Sequence, residues 1–140
     1  FKDYADKKRC TNIFNYVATG WNRDGLALRG ARQLMGDFTR TKKILIMLTD
    51  GEPNDDKPLV GDGLFSSSEY RDEKAVANTA DEAAALRREG IRIIGLINGE
   101  NQHIMKDARK IFGEDCVEVR DLDKMADSVG RMLTRQIEAL

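Results

Sequence analysis

The sequence is poor in the residues that mark a disulfide framework or a zinc site. Its 140 residues include two cysteines, two prolines and one histidine. Cys10 and Cys116 lie far apart and neither belongs to a CxxC pair, so they do not indicate bound zinc. A disulfide between them stays open, but two thiols in a reducing cytosol fit the sequence better. We therefore expect a cytoplasmic protein.

An excess of charge of one sign is also absent. The chain carries 23 basic and 24 acidic residues, with a net charge of −1. A domain that binds nucleic acid through bulk charge usually has a clear basic excess. No apolar run approaches the roughly 20 residues that a membrane span needs. We therefore expect neither nucleic acid nor a membrane as a partner.

Two continuous apolar runs dominate the sequence and predict buried strands. They are Ile44–Thr49 and Ile91–Ile97, each bounded by charged, polar or glycine residues. Inner strands of a parallel sheet, covered by helices on both faces, show this pattern. The shorter run Cys116–Val119 alternates apolar and polar residues, which indicates a strand nearer the edge. Asn12–Val17 fits a short strand or a short helix equally well.

Amphipathic helical patterns separate these strands. The first begins near Asp24, and its predicted apolar stripe is Ala27, Ala31, Leu34, Met35 and Phe38. The second is predicted to end at Gly90 and the third at Gly113, while the last follows Asp121 as N-cap. The alternation predicts βαβ units and hence an α/β, Rossmann-like fold with a mostly parallel sheet flanked by helices. We expect one domain over residues 1–140.

The segment from Gly51 to Arg71 departs from this compact pattern. It contains both prolines and the serines Ser66–Ser68, and it predicts a loop of about 20 residues without regular structure. The loop follows the carboxyl end of the first apolar strand. A loop of this kind is usually functional or disordered, and ligands of α/β sheets bind at that end of a strand.

Two aspartates are the strongest candidates for chemistry. Asp50 directly follows the first apolar strand and precedes Gly51, and hard cations prefer oxygen ligands of this kind. The alternative is a simple Asp-Gly turn. Asp24 stands at the start of a helix, where its carboxylate could reach a neighbouring loop; an ordinary N-cap is the alternative there.

Taken together, these segments resemble the second half of a von Willebrand factor type A (vWA) domain. The resemblance rests on the helix start Asn22–Leu28, on Thr49–Pro53 (Thr-Asp-Gly-Glu-Pro) after the apolar strand, and on Glu89–Leu96. The bacterial intracellular members are most similar in character. They are the nitric oxide reductase activation protein and the CobT-type subunit of cobaltochelatase, which acts in cobalamin biosynthesis.

The resemblance implies a metal site. Members of the family bind a divalent cation, usually Mg²⁺, at a metal-ion-dependent adhesion site (MIDAS) formed by three loops. By resemblance, Asp50 is the aspartate of the third loop, and Asp24 takes the place of the threonine of the second. The first-loop motif, Asp-x-Ser-x-Ser, does not occur in the sequence. The resemblance therefore implies a fragment that lacks the first strand and binds the cation weakly.

A missing first strand has a second consequence. It would leave Ile44–Thr49 at the edge of the sheet, and exposed apolar edges associate. We therefore expect this strand to pair with a second copy of the chain, or to be covered by the N-terminal segment.

The function that the resemblance implies is a non-catalytic protein-interaction module with a metal-binding face. Asn22, Arg23 and Glu52 neighbour the two aspartates and are the candidate partner-binding residues. Members of this type work with a MoxR-type AAA+ ATPase in metalloenzyme activation or metal insertion. The sequence has no P-loop motif, which places ATP hydrolysis on another chain. The alternative is a magnesium-dependent hydrolase or phosphotransferase with Asp50 at the switch point of the sheet.

Overall fold

A computed structural model of the chain describes residues 20–35, 42–58, 69–99, 101–121 and 125–138. Cys10, Asn12–Val17 and Phe38 lie outside these ranges, so what the sequence predicts for them stays a prediction. Within the described ranges the elements, in chain order, are α1 (Asp24–Met35), β1 (Lys43–Thr49), β2 (Asp55–Pro58), β3 (Glu69–Tyr70), α2 (Asp72–Arg88), β4 (Ile91–Ile97), α3 (Gln102–Phe112), β5 (Cys116–Glu118) and α4 (Met125–Glu138).

The central sheet is parallel, as the alternation of strands and helices predicts. The order of its described strands is β1-β4-β5. β1 pairs with β4 along its whole length, from Lys43 opposite Ile91 to Thr49 opposite Ile97. β5 pairs with the end of β4, beginning at Gly95 opposite Cys116. Among the described strands it lies at an edge, as its alternating sequence predicts. The fold is α/β and consistent with a Rossmann-like sheet.

Helices cover both faces of this sheet. On one face, α1, α2 and α3 bury a cluster that comprises Leu28, Val76, Ala83, Leu86, Ile91, Ile93, Ile97, Ala108, Ile111 and Phe112. On the other face, Met132 of α4 packs against Ile94 and Leu96. Burying one such large side chain contributes about 1.5 to 3 kcal/mol, so the continuous apolarity of β4 is what joins the two layers.

Burial on both faces, predicted for both apolar strands, is wrong for β1. Ile46 is 39% exposed and Leu48 is 56% exposed. Both point to the face that carries α4, because side chains alternate along a strand. Ile44 packs against the α4 cluster, whereas Ile46 and Leu48 do not belong to it. β1 also lies at the edge of the described sheet. Residues 1–19 are outside the described ranges, so the edge position that the resemblance implies stays a prediction.

The apolar stripe predicted for α1 is confirmed at Met35, which packs against the core cluster, and wrong at two other positions. Leu34 is 89% exposed and Ala27 is exposed, whereas Gly25 and Leu28 are buried. α1 approaches α2 so closely that a Cβ at Gly25 would collide with the side chain of Asn78. Contact at a glycine therefore decides which side of α1 faces inward, and helical spacing of larger residues cannot show it.

The segment from Gly51 to Arg71 contains regular structure where the sequence predicts none. β2 and β3, which we call the hairpin base, pair antiparallel with Asp55 opposite Tyr70. Tyr70 is 1% exposed. Its hydroxyl accepts a hydrogen bond from the Gly25 N–H at 3.3 Å and lies 3.0 Å from the Thr79 hydroxyl. One buried tyrosine thus ties the hairpin base to α1 and α2, a contact that proline and serine content does not reveal.

The helix ends agree with the glycine signals. Gly90 follows α2 with φ of 77° and Gly113 follows α3 with φ of 65°, a conformation that favours glycine. The described part of the last helix begins at Met125, and residues 122–124 are not described, so the predicted N-cap at Asp121 stays a prediction. Among the described helices, none is long and apolar enough to cross a membrane.

Candidate metal-binding face

Asp24 and Asp50 meet at the carboxyl end of β1. β1 ends at Thr49, and α1 begins beside it at Asp24. The side-chain Nδ2 of Asn22 donates to Asp24 Oδ1 at 3.2 Å and to Asp50 Oδ1 at 3.4 Å. Because one amide nitrogen reaches both carboxylates, the two predicted metal ligands share one small space.

Asp24 is the buried member of the pair, with 6% of its surface exposed. Its Oδ2 accepts a hydrogen bond from the Thr49 hydroxyl at 2.7 Å. Burial raises the pKa of Asp24 above its ordinary value; the Asp50 carboxylate raises it too, while the hydrogen bonds from Thr49 and Asn22 lower it. A carboxylate withdrawn from water beside a second carboxylate is stabilised by a proton or a cation.

Asp50 is the exposed member and is held by a tight turn. Its Oδ1 accepts from the Glu52 N–H at 3.0 Å, and the Gly51 N–H donates to Thr49 Oγ1 at 3.0 Å. Gly51 has φ of 77°, in the left-handed region where glycine is favoured. A Cβ at Gly51 would lie 2.6 Å from Ile104 Cγ2. The Asp-Gly turn is therefore what places Asp50 beside Asp24.

Thr49 is the residue of this face whose role the sequence analysis missed. It is 9% exposed. Its hydroxyl donates to Asp24, lies 3.5 Å from Asp50 Oδ1 and accepts from Gly51. The sequence signal for this role is that a threonine ends an otherwise apolar strand. A polar side chain at that position lies at the carboxyl end of the sheet, where ligands bind.

The three predicted partner-binding residues have different surroundings. Asn22 is half-buried between the aspartates. Arg23 forms an ion pair with Asp55 and lies 5.3 Å from the centre of the Tyr70 ring. Glu52 is exposed. Arg23 is therefore engaged with the hairpin base, and Glu52 is the most accessible of the three to a partner.

A cavity of about 410 Å³ opens beside the Asp50 turn. Its lining includes Gly51, Glu52, His103 and Asp107 but neither aspartate of the pair. His103 has an exposed side chain, and its Nδ1 lies 3.2 Å from Asp107 Oδ2. The cavity is therefore separate from the space that Asp24 and Asp50 share.

No group of three or more histidine, cysteine, aspartate or glutamate side chains that could hold a metal ion exists within the described ranges. Asp24 and Asp50 form a pair rather than a complete ligand set. The hydrolase alternative would need a lysine near Asp50 to bind phosphate. The candidate in the segment from Gly51 to Arg71 is Lys57, whose side chain is outside the described residues.

Comparisons with known proteins give one distant relative. No family model matches the chain, and no solved structure matches it. The chain is similar to the uncharacterized protein YojO of Bacillus subtilis (strain 168), with 26% identity over 117 residues. The match covers 81% of this chain and 16% of the relative, so the chain spans only a small part of that protein's length.

Proposed function

We propose that this chain is a vWA-like, non-catalytic protein-interaction module in which Asp24 and Asp50 hold a divalent cation at a MIDAS-type face. The observation that carries the proposal is the Asn22 amide, whose Nδ2 lies 3.2 Å from Asp24 and 3.4 Å from Asp50. An amide N–H carries partial positive charge. It therefore stands where a cation would neutralise both carboxylates.

The residues present suit a weakly held Mg²⁺. Mg²⁺ usually binds proteins through one or two carboxylates and keeps several of its waters. Asp24 and Asp50 would supply these carboxylates, and the Thr49 hydroxyl orients Asp24 by donating to its Oδ2 at 2.7 Å. When bound, the cation supplies a positive centre that accepts an oxygen ligand from a partner protein.

The motif resemblance supports a bacterial cytoplasmic role in which the module works with a MoxR-type AAA+ ATPase in metalloenzyme activation or metal insertion. Exposed Glu52 lies beside the metal-binding face and is the candidate contact. A second surface supports self-association. Ile46 and Leu48 are 39% and 56% exposed at the edge of the described sheet, and an exposed apolar edge favours pairing with a second copy.

Isothermal calorimetry with Mg²⁺ and Mn²⁺ tests the metal-binding proposal on the 140-residue chain. We expect saturable binding that Asp50→Ala abolishes. Asp127→Ala is the matched control, because Asp127 is an exposed aspartate on α4, and it should bind as the unaltered chain does. Full binding by Asp50→Ala would refute the metal site. Turnover of a phosphomonoester, lost in Asp50→Ala, would instead favour the hydrolase alternative.

A further inference from the structure

Asn22 connects the two aspartates to Asn54, the residue before the hairpin base, through opposite ends of one side-chain amide. Nδ2 donates to Asp24 and Asp50, while Oδ1 accepts from the Asn54 backbone N–H at 3.1 Å. The reversed amide would set N–H against N–H at Asn54 and oxygen against two carboxylates. The hydrogen-bond network therefore fixes the orientation of this amide.

The backbones of Asn22 and Asn54 are also paired. The Asn22 N–H donates to the Asn54 carbonyl at 2.8 Å, and the Asn54 N–H donates to the Asn22 carbonyl at 2.9 Å. The Asn54 N–H is thus shared between the backbone and side-chain oxygens of Asn22. If the side chain turns away, this N–H keeps its backbone acceptor, so the movement does not leave the Asn54 N–H unsatisfied.

The residues on either side of Asn22 also contact the hairpin base and the residue after it. Arg23 forms an ion pair with Asp55. The guanidinium of Arg71 lies 5.3 Å from the centre of the Trp21 ring, and Trp21 is 58% exposed. Because Arg23 also lies 5.3 Å from the centre of the Tyr70 ring, a change at Asn22 is placed to reach both strands of the hairpin base.

We propose that a cation bound by Asp24 and Asp50 displaces the Asn22 amide, so that the hairpin base responds to occupancy of the metal site. The hydrogens on Nδ2 point at the same oxygens that would bind the cation, and an N–H donor cannot ligate a metal. The amide must turn or withdraw, and either movement breaks its Oδ1 bond to Asn54. Asn22 is thus a positioning residue: binding of the cation changes its hydrogen bond to the segment after β1. This inference rests on the proposed function.

Nuclear magnetic resonance during a Mg²⁺ titration of the 140-residue chain tests the coupling. We expect the Asn22 side-chain NH₂ and the Asn54 backbone amide to shift along one saturation curve that matches the calorimetric binding curve. The backbone amide of Asp127, far along the chain in α4, is the internal control and should not move.

Two variants separate coupling from a general structural response. Asn22→Ala removes the displaced group, so Mg²⁺ should bind while the Asn54 amide no longer shifts. Asn22→Asp keeps an acceptor for Asn54 and is nearly isosteric, which guards against misfolding of the alanine variant. It adds a third carboxylate, and we expect Mg²⁺ to bind about tenfold more tightly because affinity rises with ligand charge. Its Asn54 response should be small, since no N–H group has to leave.

The outcomes distinguish the coupling from the proposed metal site on which it rests. Saturable Mg²⁺ binding with no shift at the Asn22 NH₂ and Asn54 amide would overturn the coupling and leave the metal site standing. An Asn54 response of unchanged size in Asn22→Ala would overturn the coupling as well. If calorimetry shows no saturable binding by the unaltered chain, the proposed function fails and the coupling fails with it.

Discussion

Replacing Gly51 by alanine measures how strongly packing holds the turn that places Asp50. Gly51 has φ of 77°, and left-handed backbone costs a residue with a Cβ about 1 to 2 kcal/mol. The new Cβ would also lie 2.6 Å from Ile104 Cγ2 and 3.3 Å from Ile97 Cγ2. Ile104 is β-branched and helical, so it has one strongly preferred rotamer and cannot swing aside. Overpacking of this kind costs about 1 to 3 kcal/mol, which gives a total loss of about 2 to 5 kcal/mol.

Gly90→Ala is the matched control. Gly90 has the same φ of 77°, but a Cβ there meets nothing within 4 Å. This variant should lose only the backbone component of about 1 to 2 kcal/mol. Urea unfolding of both variants gives the two free energies, provided that the slope against denaturant concentration is unchanged. The difference between them measures the contacts with Ile104 and Ile97.

A double-mutant cycle with Ile104→Ala decides the packing argument. The Gly51→Ala and Ile104→Ala changes together should cost less than their sum, with a coupling of about 1 to 3 kcal/mol, because the second change removes the methyl group that the first one strikes. Equal losses for Gly51→Ala and Gly90→Ala, or additive losses in the cycle, would show that Ile104 does not hold the turn. Mg²⁺ affinity should fall in Gly51→Ala and not in Gly90→Ala, because only the first change moves Asp50.

Three further substitutions test the site, the core and helix α1. Asp24→Asn should raise the free energy of unfolding at neutral pH by about 1 to 3 kcal/mol, the range for an imperfectly compensated buried polar group. Because burial and Asp50 raise the pKa of Asp24 above 3.8, the native protein loses stability as pH rises from the unfolded pKa through the folded one. The gain should therefore vanish in acid below the unfolded pKa, and a gain that persists there in urea titrations would contradict this account. Gly95→Ala should cost about 1 to 3 kcal/mol, because its Cβ would collide with the buried Phe112 ring. Gly30→Ala in α1 meets nothing within 4 Å and should instead stabilise by about 0.5 to 1 kcal/mol in thermal melts; a loss in both variants would point to something other than packing.

The sequence by itself determined the order of the main helices and strands and the parallel sheet. Both follow from local properties: the period of apolar residues selects helix or strand, and alternation of the two requires crossovers. Glycine placed the ends of α2 and α3 for the same local reason, because Gly90 and Gly113 adopt positive φ. The motifs around Asp24 and Asp50 likewise identified the two carboxylates that the fold brings together.

Only the tertiary structure decided which side chains those residues contact. The Asn22 bridge, the hydrogen bond from Thr49 to Asp24 and the hairpin base all join segments distant in sequence. The close approach of α1 to α2 at Gly25 buries a side of α1 that its predicted apolar stripe matches only in part. Local patterns state what one segment prefers. Which carboxylates become neighbours depends on the packing between segments, and no periodicity within a single segment records it.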